Sequence, residues 1–206
     1  SKALDLLDGQ NDKGFFVMIE GSQIDWCGNA NDIACAMGEM DDFAKSIETA
    51  KAYVDNNPDT ILVITADHST GGLTIGAHGQ YKWGTDIIKG VKATAGTLTK
   101  LLMGSDNLKT VWQANTRIEF TTKNEIKLKQ AKAMGEKTLN LAVKSIINDL
   151  SFTGWTTGGH TASGRGTRPE PGAHPRRRHR SSRASRPLHL QAPRSRRYRP
   201  PPVPAA

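Results

Sequence analysis

The stretch TILVITAD at residues 60–67 is a run of aliphatic and β-branched residues that ends in an acid, and GFFVMIE at residues 14–20 repeats this plan. Continuous rather than alternating hydrophobicity is typical of strands that are buried on both faces in a parallel sheet. Between the two runs, residues 41–56 have the apolar period of a helix, which Asp41 or Asp42 is predicted to cap. Together the three elements predict a βαβ unit and an α/β fold.

The pattern after these elements is helical. Short leucine stripes follow residue 85, and a longer helix is predicted over about residues 123–150, with Gly135 as its weak point. Six apolar residues of that helix are predicted to face inward: Ile126, Met134, Leu139, Val143, Ile146 and Ile147. A loop rich in Gly and Thr at residues 153–159 then leads to His160.

Two chemically different segments make up the chain. Its formal net charge is +8, yet residues 1–163 hold sixteen Lys and Arg against nineteen Asp and Glu. Residues 164–206 hold twelve Arg, one acid and nine of the ten Pro. Because this composition supplies no apolar core, residues 164–206 are predicted to form a disordered tail.

Acids and histidines are predicted to meet beyond the carboxyl ends of the strands, where open parallel sheets bind their ligands. The candidates are Glu20, Asp25, Asp67, His68 and His160. Carboxylates and imidazoles are the ligand set of zinc, and an oxygen-rich position suits magnesium. Taken singly, such residues are more often helix caps or surface pairs, and no short ligand motif is present, so spacing alone leaves both interpretations open.

Three segments resemble signature segments of the alkaline phosphatases. They are IEGSQIDW at residues 19–26, TADHSTGG at residues 65–72 and WTTGGHT at residues 155–161, in the order that the family has them. The likeness covers about residues 1–162 and is strongest to a bacterial branch with a large insertion, here about residues 79–152. It implies part of a parallel-sheet α/β/α sandwich with a helical insertion.

The resemblance also implies a ligand for each metal of a site with two zinc ions and one magnesium ion. Glu20 matches the magnesium carboxylate, Asp25 and His160 match ligands of the first zinc, and Asp67 and His68 match ligands of the second. In the family such a centre hydrolyses phosphate monoesters through a serine alkoxide, with the metals stabilising the entering and leaving oxygens. Trp26 stands at a variable position beside the phosphate site, where it can equally be a packing residue.

Departures from the family pattern concern the site and the tail. No segment resembles the motif of the nucleophilic serine or matches the phosphate-binding arginine, so the chain is interpreted as a C-terminal half that is inactive alone. Asn29 stands where the family has a zinc-binding histidine, and an amide oxygen is a poorer zinc ligand than imidazole. Cys27 is either a substitute thiolate, a buried thiol or the disulfide partner of Cys35.

The family domain is predicted to span residues 1–163. Residues 164–206 replace the final strand and helix of the family, and we interpret them as out of frame or chimeric. By resemblance, the protein acts on a phosphate monoester, forms a homodimer, and is periplasmic or secreted, although no signal peptide is visible. The sequence contains no run of eighteen apolar residues, so it predicts no membrane-spanning helix.

Two alternatives to phosphomonoester hydrolysis stay open at this stage. One is an inactive, metal-binding fragment or pseudoenzyme, which Asn29 favours. The other is binding of nucleic acid or another polyanion through the basic tail, where Tyr198 alone offers an aromatic ring for stacking.

Overall fold

A computed structural model describes residues 2–10 and 13–162 of the chain. The predicted tail, residues 164–206, therefore lies outside the described residues, and its disorder stays a prediction. Three helices occupy the first third: α1 (Lys2–Asp8), α2 (Ser22–Asn29) and α3 (Ile33–Asn56). No helix among the described residues is both long and apolar enough to cross a membrane.

Helix α3 begins earlier than its apolar period predicts. Asp32 is its N-cap, with the side chain accepting a 3.2 Å hydrogen bond from the backbone N of Cys35. The expected caps Asp41 and Asp42 lie inside the helix, and both are exposed. The prediction of the cap was wrong because Ile33, which begins the helix, packs on residues distant in sequence.

The two apolar runs do not form hydrogen-bonded strands in the described chain. Residues 14–20 and 60–67 have no regular secondary structure apart from a bend at Asp67. Phe16 is 90% exposed and Ile61 is 86% exposed. A strand buried on both faces needs neighbours on both edges and cover on both faces, and the described residues supply neither at these runs.

Five helices follow between residues 85 and 151. They are α4 (Thr85–Lys89), α5 (Ala95–Met103), α6 (Leu108–Asn115), α7 (Thr122–Ala133) and α8 (Glu136–Ser151). The single helix predicted over residues 123–150 is thus two helices, which Gly135 separates with φ 103° and ψ 172°. Only glycine adopts this backbone region readily.

The apolar core lies among these helices. Its fully buried side chains include Leu98, Leu102, Trp112, Leu128, Leu139 and Val143, and Ile33 of α3 joins them. Of the inward positions predicted for the long helix, Ile126 and Met134 are exposed, and α7 instead buries Leu128 and Ala131. At 3.6 residues per turn, Leu128 shares a helix face with Leu139, whereas Ile126 and Met134 do not. Leu139, Val143, Ile146 and Ile147 are buried as predicted.

Two short antiparallel strand pairs connect the segments. Strand β1 (Ser69–Thr70) pairs with β4 (His160–Thr161), and β2 (Thr74–Ile75) pairs with β3 (Thr153–Gly154). The register of the first pair sets Thr70 opposite His160. It therefore brings the second and third signature segments together.

Hydrogen bonds connect the junction between α2 and α3 to the helical core. The Asp32 carboxylate, which is buried, accepts a 2.6 Å hydrogen bond from the backbone N of Ala95 at the start of α5. Lys144 donates to the carbonyl of Ala30 (2.7 Å), and the amide of Asn148 donates to the carbonyl of Asn31 (3.2 Å). These contacts fix where α2 ends.

Replacing Asp32 is therefore expected to destabilise the chain. Asp32→Ala removes two hydrogen bonds and leaves the buried N–H of Ala95 without its acceptor, which costs about 2–3 kcal/mol in the free energy of unfolding. Asp41→Ala is the matched control, since Asp41 is an exposed acid of the same helix that pairs with Lys45; it should change stability by less than about 1 kcal/mol. Urea unfolding measures both, and equal losses would contradict the assignment of Asp32 as the cap.

A second pair of variants tests the break between α7 and α8. A Cβ at Gly135 would meet nothing within 4 Å, so Gly135→Ala reports the backbone conformation alone, and we expect a loss of about 1–3 kcal/mol. Gly38 lies inside α3 and is equally uncrowded; Gly38→Ala should instead stabilise by about 0.5–1 kcal/mol. Thermal unfolding would show the opposite signs, and a neutral Gly135→Ala would mean that the two helices can fuse.

Candidate metal centre

Asp25 lies in the first turn of α2. A Cβ at Gly21, the residue before the helix, would lie 2.9 Å from the ring of Phe43, so only glycine allows α2 to start this close to α3. Cys27 and Cys35 form a disulfide with their Cα atoms 5.4 Å apart, which ties the two helices together. Because both sulfurs are bonded to each other, Cys27 is not a free thiolate ligand in this structure.

His68 and His160 reach Asp25 from the strand pair. His68 immediately precedes β1 and His160 opens β4, and their rings stack with centroids 3.7 Å apart and planes inclined by 20°. Oδ1 of Asp25 lies 3.3 Å from Nε2 of His160 and 4.0 Å from Nδ1 of His68. Asp25, His68 and His160 each offer one ligand atom to a candidate metal-binding group, with these atoms within 4.8 Å of one another.

Two glycines allow the helix and the strands to approach. A Cβ at Gly28 of α2 would lie 2.9 Å from Cβ of Thr70, and a Cβ at Gly71 would lie 2.4 Å from the Trp155 ring. Gly71 also has φ +77° and donates its N–H to the carbonyl of Gly159 (2.9 Å). The geometry of the site therefore depends on close backbone approaches that a side chain at Gly28 or Gly71 would block.

Hydrogen bonds hold both carboxylate oxygens of Asp25. The hydroxyl of Thr70 donates to Oδ1 (2.5 Å), and the amide Nδ2 of Asn29 donates to Oδ2 (2.8 Å). Nδ2 of Asn29 also donates to the backbone carbonyl of Asp25 (3.0 Å). Asn29 thus faces the predicted zinc ligand as a hydrogen-bond donor.

The other predicted residues lie around this group. Asp67 is largely exposed, with Oδ2 3.4 Å from Nε2 of His68 and Oδ1 accepting from the backbone N of His68 (3.1 Å). Glu20 is exposed and lies outside the group of three. Trp26 follows Asp25 on α2 and is 66% exposed.

Thr70 is a site residue that the sequence analysis did not identify. It lies within the quoted segment at residues 65–72, but no role was attached to it. A threonine two residues after a candidate ligand in a strand faces the same side as that ligand, and this spacing was the available signal.

Comparisons with known proteins agree with these motifs. A sequence model described as "Alkaline phosphatase" matches residues 1–164. Alkaline phosphatase 3 of Bacillus subtilis is 43% identical over 152 residues, which is 72% of this chain and 33% of the relative. Alkaline phosphatase 4 of the same organism is 38% identical over 161 residues, or 77% of this chain and 34% of the relative.

A solved structure is similar as well. The cold-active alkaline phosphatase from a psychrophilic Shewanella sp. superposes with a TM-score of 0.75 and 45% identity, covering 78% of this chain and 40% of that chain. The chain spans about a third of the length of the Bacillus relatives.

Proposed function

The chain belongs to the alkaline phosphatase family, and we propose that it forms the metal-binding part of a phosphate monoester hydrolase. The likeness to a solved alkaline phosphatase also confirms the predicted fold class, of which the described residues form a part. Two carboxylate–imidazole pairs support the functional proposal more than any other observation. The first pair is Asp25 with His160, and the second is Asp67 with His68.

The spacing of those pairs suits a tetrahedral metal. Two ligand atoms that each lie 2.0–2.1 Å from a tetrahedral zinc are about 3.3 Å apart. Asp25 Oδ1 and His160 Nε2 are 3.3 Å apart, and Asp67 Oδ2 and His68 Nε2 are 3.4 Å apart. His78 and Asp149 have the same spacing, so the assignment also depends on the signature segments, which contain the residues of both proposed pairs. On both grounds we assign the first pair to one zinc and the second pair to another.

Glu20 is proposed as the magnesium ligand, because an exposed carboxylate beside α2 offers the hard oxygen that magnesium prefers. When bound, paired metals would stabilise the attacking and leaving oxygens of a phosphoryl transfer. The chain's own part is to hold the zinc-facing oxygen of Asp25 and the imidazoles of His68 and His160 in place. Trp26 lies next to Asp25 and would border the substrate.

The substrate, compartment and assembly are proposed on the same basis. We propose a phosphate monoester as substrate, a periplasmic or secreted location, and a homodimer. The disulfide between Cys27 and Cys35 supports the location, since structural disulfides persist in oxidising compartments.

An inactive, metal-binding fragment is the second candidate function. It is favoured by Asn29, which donates to Asp25 in place of supplying a third zinc ligand. No segment of the 206 residues resembles the nucleophile motif, and groups that attack and clamp phosphate are needed for turnover. Binding of polyanions would rest on residues 164–206, which are outside the described residues.

The first prediction from this proposal is that the 206-residue chain binds zinc but does not hydrolyse phosphate esters. His160→Ala removes a ligand of the first pair and should weaken zinc binding at least about 10-fold. His78→Ala is the matched control, because His78 forms a comparable pair with Asp149 (3.3 Å) away from the site; its zinc titration should match the parent chain. Isothermal titration with zinc measures binding, and a chromogenic phosphate ester measures turnover.

Two results would count against that prediction. Equal zinc affinity in the parent chain and in His160→Ala would contradict the proposal that His160 binds zinc. Turnover by the parent chain that disappears in His160→Ala, but persists in His78→Ala, would show that the chain is active by itself.

The second prediction concerns Asn29. In Asn29→His an imidazole nitrogen replaces an amide that donates to Asp25, so the first pair gains a third ligand, and three protein ligands are usual for a zinc that also binds water. We expect zinc affinity to rise and the zinc content after dialysis to increase. Asn29→Ala is the control that removes the amide without adding a ligand, and it should bind zinc no better than the parent chain. Equal titration curves for Asn29→His and the parent chain would mean that the pair and water already suffice.

A further inference from the structure

One hydroxyl lies between the two proposed zinc pairs. Oγ1 of Thr70 is 2.5 Å from Oδ1 of Asp25, which belongs to the first pair. The same oxygen is 3.3 Å from Nδ1 of His68, which belongs to the second pair. The Thr70 side chain thus contacts a proposed ligand of each zinc.

The direction of these two hydrogen bonds follows from proton counting. A hydroxyl has one hydrogen, and a carboxylate without a proton can only accept. Thr70 therefore gives its hydrogen to Asp25 and can only accept from His68. This requires the hydrogen of the neutral His68 ring to be on Nδ1.

A second neighbour of Nδ1 requires the same tautomer. The backbone carbonyl oxygen of Ser69 lies 3.3 Å from Nδ1 of His68, and a carbonyl oxygen only accepts. The opposite tautomer would set the lone pair of Nδ1 against that carbonyl. With the hydrogen on Nδ1, the lone pair of Nε2 faces Oδ2 of Asp67 at 3.4 Å, an arrangement that a shared cation stabilises.

We propose that Thr70 is a positioning residue that couples the two zinc pairs: it orients the carboxylate of Asp25 and selects Nε2 of His68 as the metal-binding nitrogen. The inference rests on the proposed function above. Metal-binding histidines commonly donate their other ring N–H to a fixed acceptor, which sets the tautomer and the ring orientation. Here the acceptor is itself the donor to a ligand of the neighbouring pair.

The backbone holds Thr70 in this position. The register of β1 with β4 sets it opposite His160. Its Cβ and Cγ2 lie against Gly28 of α2, where an added Cβ would be 2.9–3.0 Å away. Valine has nearly the same shape as threonine, so Thr70→Val keeps this packing and removes only the hydroxyl, whereas Thr70→Ser keeps the hydroxyl.

The test uses the full chain with ¹⁵N-labelled histidine, loaded with ¹¹³Cd²⁺ as an NMR-active substitute for zinc. Coupling of the cadmium nucleus to Nε2 of His68, together with a hydrogen on Nδ1, is the expected result in the parent chain. Coupling to Nδ1 would overturn the inference without any variant. If the parent chain binds neither cadmium nor zinc, the proposed metal site itself fails.

Zinc titrations of the variants test the coupling. Thr70→Val should weaken binding at both pairs by about 10–100-fold, the usual effect of losing a group that orients metal ligands. Thr70→Ser should stay within about threefold of the parent chain, because the hydroxyl remains to donate to Asp25 and accept from His68. Thr74→Val is a control in β2, where the threonine is exposed and donates to the carbonyl of Gly72, away from the proposed ligands.

The outcomes separate clearly. Unchanged zinc binding in Thr70→Val would overturn the inference while leaving the proposed metal site intact. Weakening at one pair only would overturn the coupling. Should Thr70→Val unfold, as its circular dichroism would show, the cadmium coupling of the parent chain and the titration of Thr70→Ser still decide.

Discussion

A single buried carboxylate determines where the candidate site lies. Asp32 caps α3 through Cys35 and accepts from the backbone of Ala95, so one side chain joins the α2–α3 junction to the start of α5. Its own backbone N–H also donates to the carbonyl of Cys27 (3.0 Å), which fixes the end of α2. Because Asp25 lies only two residues before Cys27, the helical core sets the position of this proposed metal-binding carboxylate through the junction.

The ligand candidates could be predicted from the sequence because their motifs are local. Asp25 lies in one short signature segment and His68 in another, so each candidate is recognisable from a few neighbouring residues. What the motifs could not predict is that His68 and His160 stack, since this depends on the pairing of Thr70 with His160 across ninety residues. The spacing of Thr70 from His68 places both on the same side of a strand, but the hydrogen bond of Thr70 to Asp25 becomes visible only in the folded chain.

The errors in the fold prediction also have physical causes. The spacing of apolar residues does not show where a helix starts when a tertiary contact stabilises its N-cap residue. Asp32 is such a residue, since its carboxylate also accepts from the backbone N of Ala95. The same period runs through Gly135, where the backbone conformation ends α7 and starts α8. The runs at 14–20 and 60–67 are strongly apolar, but the described residues contain no strands to pair with them. A strand forms only where a neighbouring strand hydrogen-bonds to it, and the sequence of one apolar run does not identify that neighbour.

The two proposed zinc pairs differ in how firmly their side chains are held in place before a metal binds. In the first, both oxygens of Asp25 are already hydrogen-bonded by Thr70 and Asn29, and the residue belongs to a helix tied by a disulfide. In the second, His68 is held through Nδ1, while the side chain of Asp67, the last residue of the run at residues 60–67, is 88% exposed. A ligand that is fixed beforehand loses less conformational entropy on binding than an exposed one. Under the proposed assignment, Asn29 therefore has two opposite effects: it would withhold a ligand from the first zinc, and at the same time its hydrogen bond immobilises the carboxylate of Asp25.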